Sequence, residues 1–585
     1  MTIRQFTSDP VFRQRYWARN QVGWRHMAET LPNAGHRALA ELEHAGVVSG
    51  VITQNVDLLH TKAGSRGVVN LHGTYAEVIC LDCGHTMTRA ALAEMLEAAN
   101  PGFVERAEAV GGLSARHEFH PGYAVAGILH DEALLPRAVA EKLSLSRHGL
   151  KFRKAPATYL VEADGPGLLL PSDAAGAAEA IGRRSAHDAK SYTAMRAFLD
   201  RITPLFASIL SEPPPAISPG SAGDLWQIAK RGLSLFRIDR KDLLELARVA
   251  PMCVADYLNE RFETPLLVEA LAAPAVASTW SGPWSAGTMT NFLLRECAGG
   301  EAIEGGPPAL IAALLAAAKT AGAEIRTGAE VARIRLDRGQ VAGVTLASGE
   351  TIDSEVVLSS ADPKRTMLEL LAPGTLPLKI EEEFINLRAR GTAAKVHLAL
   401  SGPLEWKGGE AAHEAIRIGG GHVDDLERAF DAIKYRQFSE KPNLEIRVPT
   451  VADPSLAPAG HHTVSILASF APYKLDGGWT DAAREKLGDA VIAVLEQHVP
   501  TVRSRIVARE VLSPADLETR FALTGGQLHH GEIALDQLLM MRPAPSAPRY
   551  KTTVPGLYLG GAGSHPGGGV RMTAGVLAAE AVLGG

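Results

Sequence analysis

The chain has 585 residues, 46% of them hydrophobic and 21% charged, with a net charge of −6. That length gives room for two or more domains, and the balance is that of a globular protein, not a disordered or fibrous one. The negative charge leaves no global basic footprint for nucleic acid, and no apolar run reaches the ~18 residues of a membrane span.

Arg4, Arg13, Arg15, Arg19 and Arg25 alternate with aromatic residues near the start. This pattern reads as a solvated helix face. No apolar stretch of a secretory signal follows it. The longest apolar run, Leu310 to Ala318, ends at Lys319 and is too short to span a membrane. Four cysteines in so long a chain argue for a reducing compartment, and the expected location is cytoplasmic.

Asn33-Ala34-Gly35-His36 precedes a helical pattern at Ala38, Leu39, Leu42 and Ala45. Val47 to Thr53 predicts a short buried strand, with Gln54 to Asp57 at its C-terminal end, where α/β folds place ligand contacts. Val68 to Leu71 is a second short apolar run, closed by His72. Asn55 and Asp57 suit a polar pocket, and an imidazole such as His72 suits proton transfer near neutral pH. Cys80 and Cys83 form one CxxC pair, with His85 as a third metal-ligand candidate, whereas structural zinc takes four ligands. Asn100-Pro101-Gly102 breaks any strand there.

From Leu113 the pattern changes. His117 and His120 suggest a metal pair, but no nearby carboxylate arrangement of a known type accompanies them, and the segment reads as a loop. Gly305-Gly306-Pro307 opens a helix with Leu310, Leu314, Leu315 and Ala318. Val331 to Ile334 begins a meander of about three strands, with turns at Asp337-Arg338-Gly339-Gln340 and Ala347-Ser348-Gly349-Glu350. Ser360-Ala361-Asp362-Pro363 ends it. Near the end, Leu557-Tyr558-Leu559, a Gly-rich turn through Gly569 and a helix over 574–583 make a favourable anion site. His529, His530 and His565 are further candidates for proton transfer. No G-x-G-x-x-G motif occurs in the chain.

Thr53-Gln54-Asn55-Val56-Asp57, Leu71-His72-Gly73 and Cys80-Leu81-Asp82-Cys83, in this order, resemble the middle of a sirtuin, an NAD-dependent protein deacylase. Pro32 to His36 and Ala63-Gly64-Ser65 fit the same pattern. The resemblance implies His72 as the base, Gln54, Asn55 and Asp57 as NAD contacts, and Cys80 and Cys83 as half of a zinc site. The phosphate-cradling Gly-Ala-Gly loop and the second cysteine pair of that family are missing, so this part is expected to be inactive.

From about Leu113 the chain resembles phytoene-desaturase-like flavoproteins, in the group of pyridine nucleotide-disulfide oxidoreductase domain-containing protein 2. The carrying stretches are Ser114 to Tyr123, Gly322 to Ile334, Leu523 to Glu532, Leu535 to Leu538 and Gly556 to Gly569. The resemblance implies FAD. Glu105 would bind its ribose before the Gly111-Gly112 turn, Val331 would lie by the adenine, and Gly561, Gly563, Gly567 and Gly568 would hold the flavin and pyrophosphate. Val570 to Thr573 departs from the family's usual small-residue turn.

The expected fold class is α/β: an incomplete Rossmann-like sirtuin fragment (1–112), then an incomplete FAD-binding Rossmann-like domain. The latter comprises 113–369, with helical insertions, and 521–585. An α+β substrate domain covers 370–520. The join falls between Phe103 and Leu113. The expected function is an FAD-dependent oxidoreductase of the phytoene-desaturase and amine-oxidase class, impaired by loss of its dinucleotide-binding start. A deacylase remnant and an inactive fusion product are the alternatives. The small-molecule substrate and oligomeric state stay open.

Overall fold

The computed structural model describes residues 31–53, 55, 57–71, 76–79, 84–99, 112–130, 135–162, 165–215, 238–298, 301–407, 413–569 and 571–584. The expected N-terminal arginine face lies outside these residues. The chain divides into two units, Met1–Val110 with Ile325–Glu330, and Gly111–Glu324 with Val331–Gly585.

In the first unit, helix α1 (Ala34–His44) is capped by Asn33, whose side chain accepts from the His36 N–H. Strand β1 (Val51–Thr53) pairs in parallel with β2 (Val68–Asn70). The expected strand from Val47 is shorter because the Val47 and Val48 N–H groups donate back to Leu42 O and close the helix end. Two further strands, β3 (Glu77–Ile79) and β4 (Thr86–Thr88), form an antiparallel pair ahead of α2 (Arg89–Ala99). Parallel strands ordinarily sit covered on both faces. Here Ile52 is 71% exposed and Val69 54% exposed. Among the described residues of this unit, Ala40 is the only buried apolar residue.

The second unit begins with a hairpin, β5 (His117–His120) and β6 (Tyr123–Val125). Strands β7 (Thr158–Leu160) and β8 (Leu168–Leu170) follow. The 26-residue helix α3 (Ala186–Ser211), α4 (Pro265–Val276) and α5 (Thr288–Glu296) then build a helical layer. Helix α6 (Gly306–Thr320) falls where the sequence places it. The meander is β9 (Val331–Asp337), β10 (Gln340–Leu346) and β11 (Thr351–Asp353), three antiparallel strands as expected. Strand β12 (Val357–Ser359) leads into the remaining sheet.

That sheet comprises β13 (Ala393–Leu400), β14 (Ala415–Ile418), β15 (Leu444–Arg447), β16 (His462–Ser469) and β17 (Ile506–Leu512), with β7 and β8 at one edge. The order is β17-β13-β16-β15-β14-β7-β8. The boundary at 370 is corrected here, since two of the seven strands come from 158–170. Leu160 also packs into the helical core with Leu267, Val268 and Phe430.

The sheet's two faces differ by residue parity. Val396, Leu398, Leu400, Ile416, Ile446, Val464 and Ile466 pack with Leu487, Val491 and Leu495 of α7 (Asp481–Glu496). The alternate positions carry Lys395, His397, Glu445, Ser465 and Glu510. Period-two alternation places such residues on one face. That face is also covered, so Lys395, His397, Glu445 and Ser465 are buried and Glu510 is partly so. The chain closes with β18 (Leu557–Leu559), parallel to β12, and helix α8 (Thr573–Val582).

Candidate active site

The Gly-rich turn from Gly560 to Gly569 joins β18 to α8. Its glycines are required by the protein's own packing. A Cβ on Gly567 would lie 2.2 Å from Arg542 Nε, and the residue holds φ +84°. Cβ atoms on Gly561 and Gly563 would each approach within 2.3 Å, of Ser360 O and Pro363 Cδ respectively. No side chain caps the N-terminus of α8. Its first N–H groups therefore present the positive end of the helix toward the turn.

Arg542 lies beneath this turn and is 1% exposed. Its guanidinium donates to His529 O at 2.7 Å, Ala562 O at 3.0 Å and Glu532 O at 3.1 Å. Nε has no partner. Among the described residues no carboxylate pairs with it. Burial alone pushes its pKa down to about 10. A buried cation satisfied only by carbonyls retains an uncompensated charge.

His529 connects the turn to a cavity. Its Nδ1 lies 3.4 Å from the Gly569 N–H. The cavity, of about 20 Å³, is lined by Ile128, His130, Ser278, Arg295, Glu445 and His529, among others. It has room for about one water molecule. Lys395 is fully buried, and its Nζ donates to His130 Nε2 at 2.5 Å. Ser465 Oγ lies 3.1 Å from the same nitrogen. His130 Nδ1 stands 3.8 Å from Glu445 Oε1, which also pairs with Arg447 at 3.2 Å. Burial, reinforced by the Lys395 charge, holds His130 neutral, far below the usual imidazole range. Its Nδ1 has no hydrogen-bond partner. A neutral ring that accepts at Nε2 carries its proton on Nδ1 and offers a donor there.

Of the expected site residues, Gln54, His72, Cys80, Cys83, Glu105 and Gly111 lie outside the described residues. The Asn55 N–H donates to Thr53 Oγ1 at 3.0 Å, and Asp57 Oδ1 accepts from Leu59 N–H at 3.0 Å, holding the start of a short helical turn. Gly112 sits at φ +51°, opening a helical turn at 112–114. Val331 pairs with Leu346 at the start of β9. His565 Nε2 is committed to Ile209 O at 2.9 Å, which makes this ring a structural link to α3. His530 is half-buried, and burial lowers its pKa. The structure thus brings His529 to the cavity and takes His565 away from it. Lys395, His130, Glu445, Arg295 and Arg542 are missed by the sequence reading. The signal available was Lys395 and His397 alternating with Val396 and Leu398 in an otherwise apolar strand.

Residues 195–583 match the family described as flavin containing amine oxidoreductase. Residues 1–116 match the Sir2 family. Pyridine nucleotide-disulfide oxidoreductase domain-containing protein 2 of Mus musculus is 30% identical over 546 residues, covering 87% of this chain and 93% of that protein. NAD-dependent protein deacetylase 1 of Mycobacterium avium is 79% identical over 114 residues, so the chain spans 40% of that relative's length. A solved oxidoreductase from Methanosarcina mazei aligns with 15% identity and a TM-score of 0.47, covering 82% of this chain and 93% of that one. A match over 87% of the chain necessarily enters the stretch that also matches Sir2. Part of residues 1–116 therefore matches both kinds of relative.

Proposed function

This chain belongs to the flavin containing amine oxidoreductase family, with a sirtuin fragment at its N-terminus. From that premise we propose an FAD-dependent oxidoreductase that holds FAD through its C-terminal turn and works with a weakened dinucleotide grip. The observation that carries this reading is Arg542, a buried cation without a counter-ion directly beneath the Gly-rich turn. A bound phosphate or flavin oxygen supplies the missing negative partner. The uncapped N-terminus of α8 favours the same anion. Gly561, Gly563, Gly567 and Gly568 would contribute the turn, and Val331 a backbone contact to the adenine.

When bound, the flavin supplies hydride abstraction from a carbon–carbon or carbon–nitrogen bond. The cavity beside His529 has room for about one water molecule. Lys395 fixes the His130 ring through Nε2, so the ring's own proton sits on Nδ1, on the side of Glu445. The walls supplied by Ile128, Leu467 and Leu528 exclude bulk water.

The weakened grip follows from sequence. Dinucleotide folds of this kind open with G-x-G-x-x-G between a strand and a helix, and the chain has none. The test is the visible absorption of the purified chain, with released flavin quantified after denaturation. Flavin near one per chain, before or after incubation with FAD, supports the reading. A chain that stays colourless in excess FAD refutes it.

A second reading is favoured by the M. avium likeness, namely NAD-dependent deacylation through His72. Its measurement is nicotinamide release from NAD with an acylated peptide. Our reading predicts none, because no second cysteine pair follows Cys80 and Cys83 within the fragment. Release abolished in His72→Ala would establish the deacylase instead. The zinc expected at Cys80 and Cys83, the fusion origin and a cytoplasmic location remain part of this proposal. Among the described residues no helix is long and apolar enough to cross a membrane.

A further inference from the structure

We propose that His117, His397 and Glu510 form a divalent-metal site, suited to zinc, that fastens the β5–β6 hairpin to the seven-stranded sheet. The three side chains come from segments far apart in sequence. His397 and Glu510 are direct cross-strand neighbours in the antiparallel pair β13–β17. Such neighbours place their side chains on one face within ~5.5 Å. His117 reaches the pair from the hairpin. One ligand atom from each residue lies within 4.8 Å of the other two. His117 Nε2 and Glu510 Oε2 are 2.7 Å apart.

A ligand is indicated by His397. It is fully buried, and neither ring nitrogen has a partner. Buried imidazole nitrogens are ordinarily hydrogen-bonded, so two orphans on one ring require an explanation. A metal bound by one of them satisfies that nitrogen. Glu510 is suitably prepared. Arg520 donates to its Oε1 at 2.7 Å, leaving Oε2 directed at His117. This is the outer contact that commonly orients a ligating carboxylate. Phe119 packs over His397 with ring centroids 5.5 Å apart and walls off the site.

Two imidazoles and one carboxylate match zinc's preference, with donors at about 2.0 Å and a fourth position for water. Closing the cluster needs only short side-chain movements. The opposing charges are Arg520, already engaged with Glu510, and Lys395, two residues from His397 on the same face. Lys395 directs its Nζ at His130, away from the bare ring. His120, the other candidate by sequence, is excluded. Three positions along a strand reverse the face, and its ring packs on Tyr123 instead.

The test uses the full chain carrying Cys80→Ser and Cys83→Ser, so those thiols take no metal. After chelator treatment, zinc is added by equilibrium dialysis and counted per chain by elemental mass spectrometry. One zinc is expected. His117→Ala and Glu510→Gln each weaken its binding by at least about tenfold, and His120→Ala leaves it unchanged. Both informative positions are partly exposed, so these variants keep the core intact where His397→Ala would not. No zinc uptake, or uptake unchanged in both His117→Ala and Glu510→Gln, overturns the proposal. These outcomes are independent of whether FAD binds.

Discussion

Replacing Arg542 by methionine removes a buried charge while keeping most of the side chain's length. Burial lowers the arginine's pKa from 12.5 to about 10. That difference corresponds to about 3 kcal/mol of charge burial at neutral pH. Three backbone carbonyls offset part of it in the free protein. Methionine abolishes both the cost and these bonds, and leaves the carbonyls of His529, Glu532 and Ala562 unpaired. Each charge-assisted bond is worth about 1.5–3 kcal/mol, so the free variant is expected to be less stable than the parent by a few kcal/mol at most. Flavin binding is the more discriminating readout. An anion at the turn can recover no more than the residual burial cost, so its loss weakens FAD by up to about 3 kcal/mol, roughly 100-fold. The assay is quenching of flavin fluorescence on titration into the apoprotein, with urea unfolding run in parallel to confirm a folded variant. A folded Arg542→Met chain with a flavin Kd within twofold of the parent refutes the claim that this guanidinium faces the cofactor.

Glu269 supplies a pH prediction. Its carboxylate accepts from the Gly420 N–H at 3.0 Å, the Gly421 N–H at 2.7 Å and Asn443 Nδ2 at 3.3 Å. Burial outweighs these donors and raises its pKa from 4.5 to about 7. A folded pKa above the unfolded one means its contribution is present below about pH 4.5 and lost as pH rises to about 7, a loss of about 3 kcal/mol. Glu269→Gln should remove this component from urea midpoints measured between those pH values, and an unchanged slope would contradict the assignment. Leu398 is fully buried in the central strand β13, so Leu398→Ala should cost about 2–5 kcal/mol, and a loss below 1 kcal/mol in chemical denaturation would place that strand outside the core. Among the described residues of 31–99, Ala40 is the only buried apolar one. Hydrogen exchange should therefore find β1 and β2 far less protected than β13 and β16, and equal protection would mean that the fragment has a core of its own.

Local turn chemistry made the meander legible. Arg338 and Gly339 hold φ of +47° and +81° between β9 and β10, which is what a two-residue hairpin between twisted strands requires. The helix after Gly305-Gly306-Pro307 and the final strand, turn and helix were similarly visible, because their signals lie within a few residues of each other. The β13–β17 sheet was not. Its strands are ordered by contacts across long separations, and β7 and β8 join from far upstream. The candidate site was hidden for a related reason. Lys395, His397 and Glu445 alternate with apolar residues, a pattern that ordinarily means one face in water. Only the covering of that face, by the hairpin and His130, turns a solvent-facing pattern into a buried polar row. His117 shows the same limit. The carboxylate it meets, Glu510, lies nearly four hundred residues away.

The uneven distribution of core explains which half of this chain retains a function to test. The seven-stranded sheet buries apolar residues against α7 on one face and a polar row on the other. Its helical layer carries a separate large core from Leu160 to Phe470. Neither depends on a dinucleotide-binding start. The parallel pair β12–β18 differs. Val356 and Leu358 beside and within β12 are 42% and 44% exposed, whereas parallel strands are normally covered on both faces. This is the edge at which further strands of a dinucleotide fold would pair. The seven-stranded sheet is therefore self-supporting while the β12–β18 pair is open. Loss of function in this chain is expected to appear first as weak FAD retention, with the fold of residues 111–585 intact.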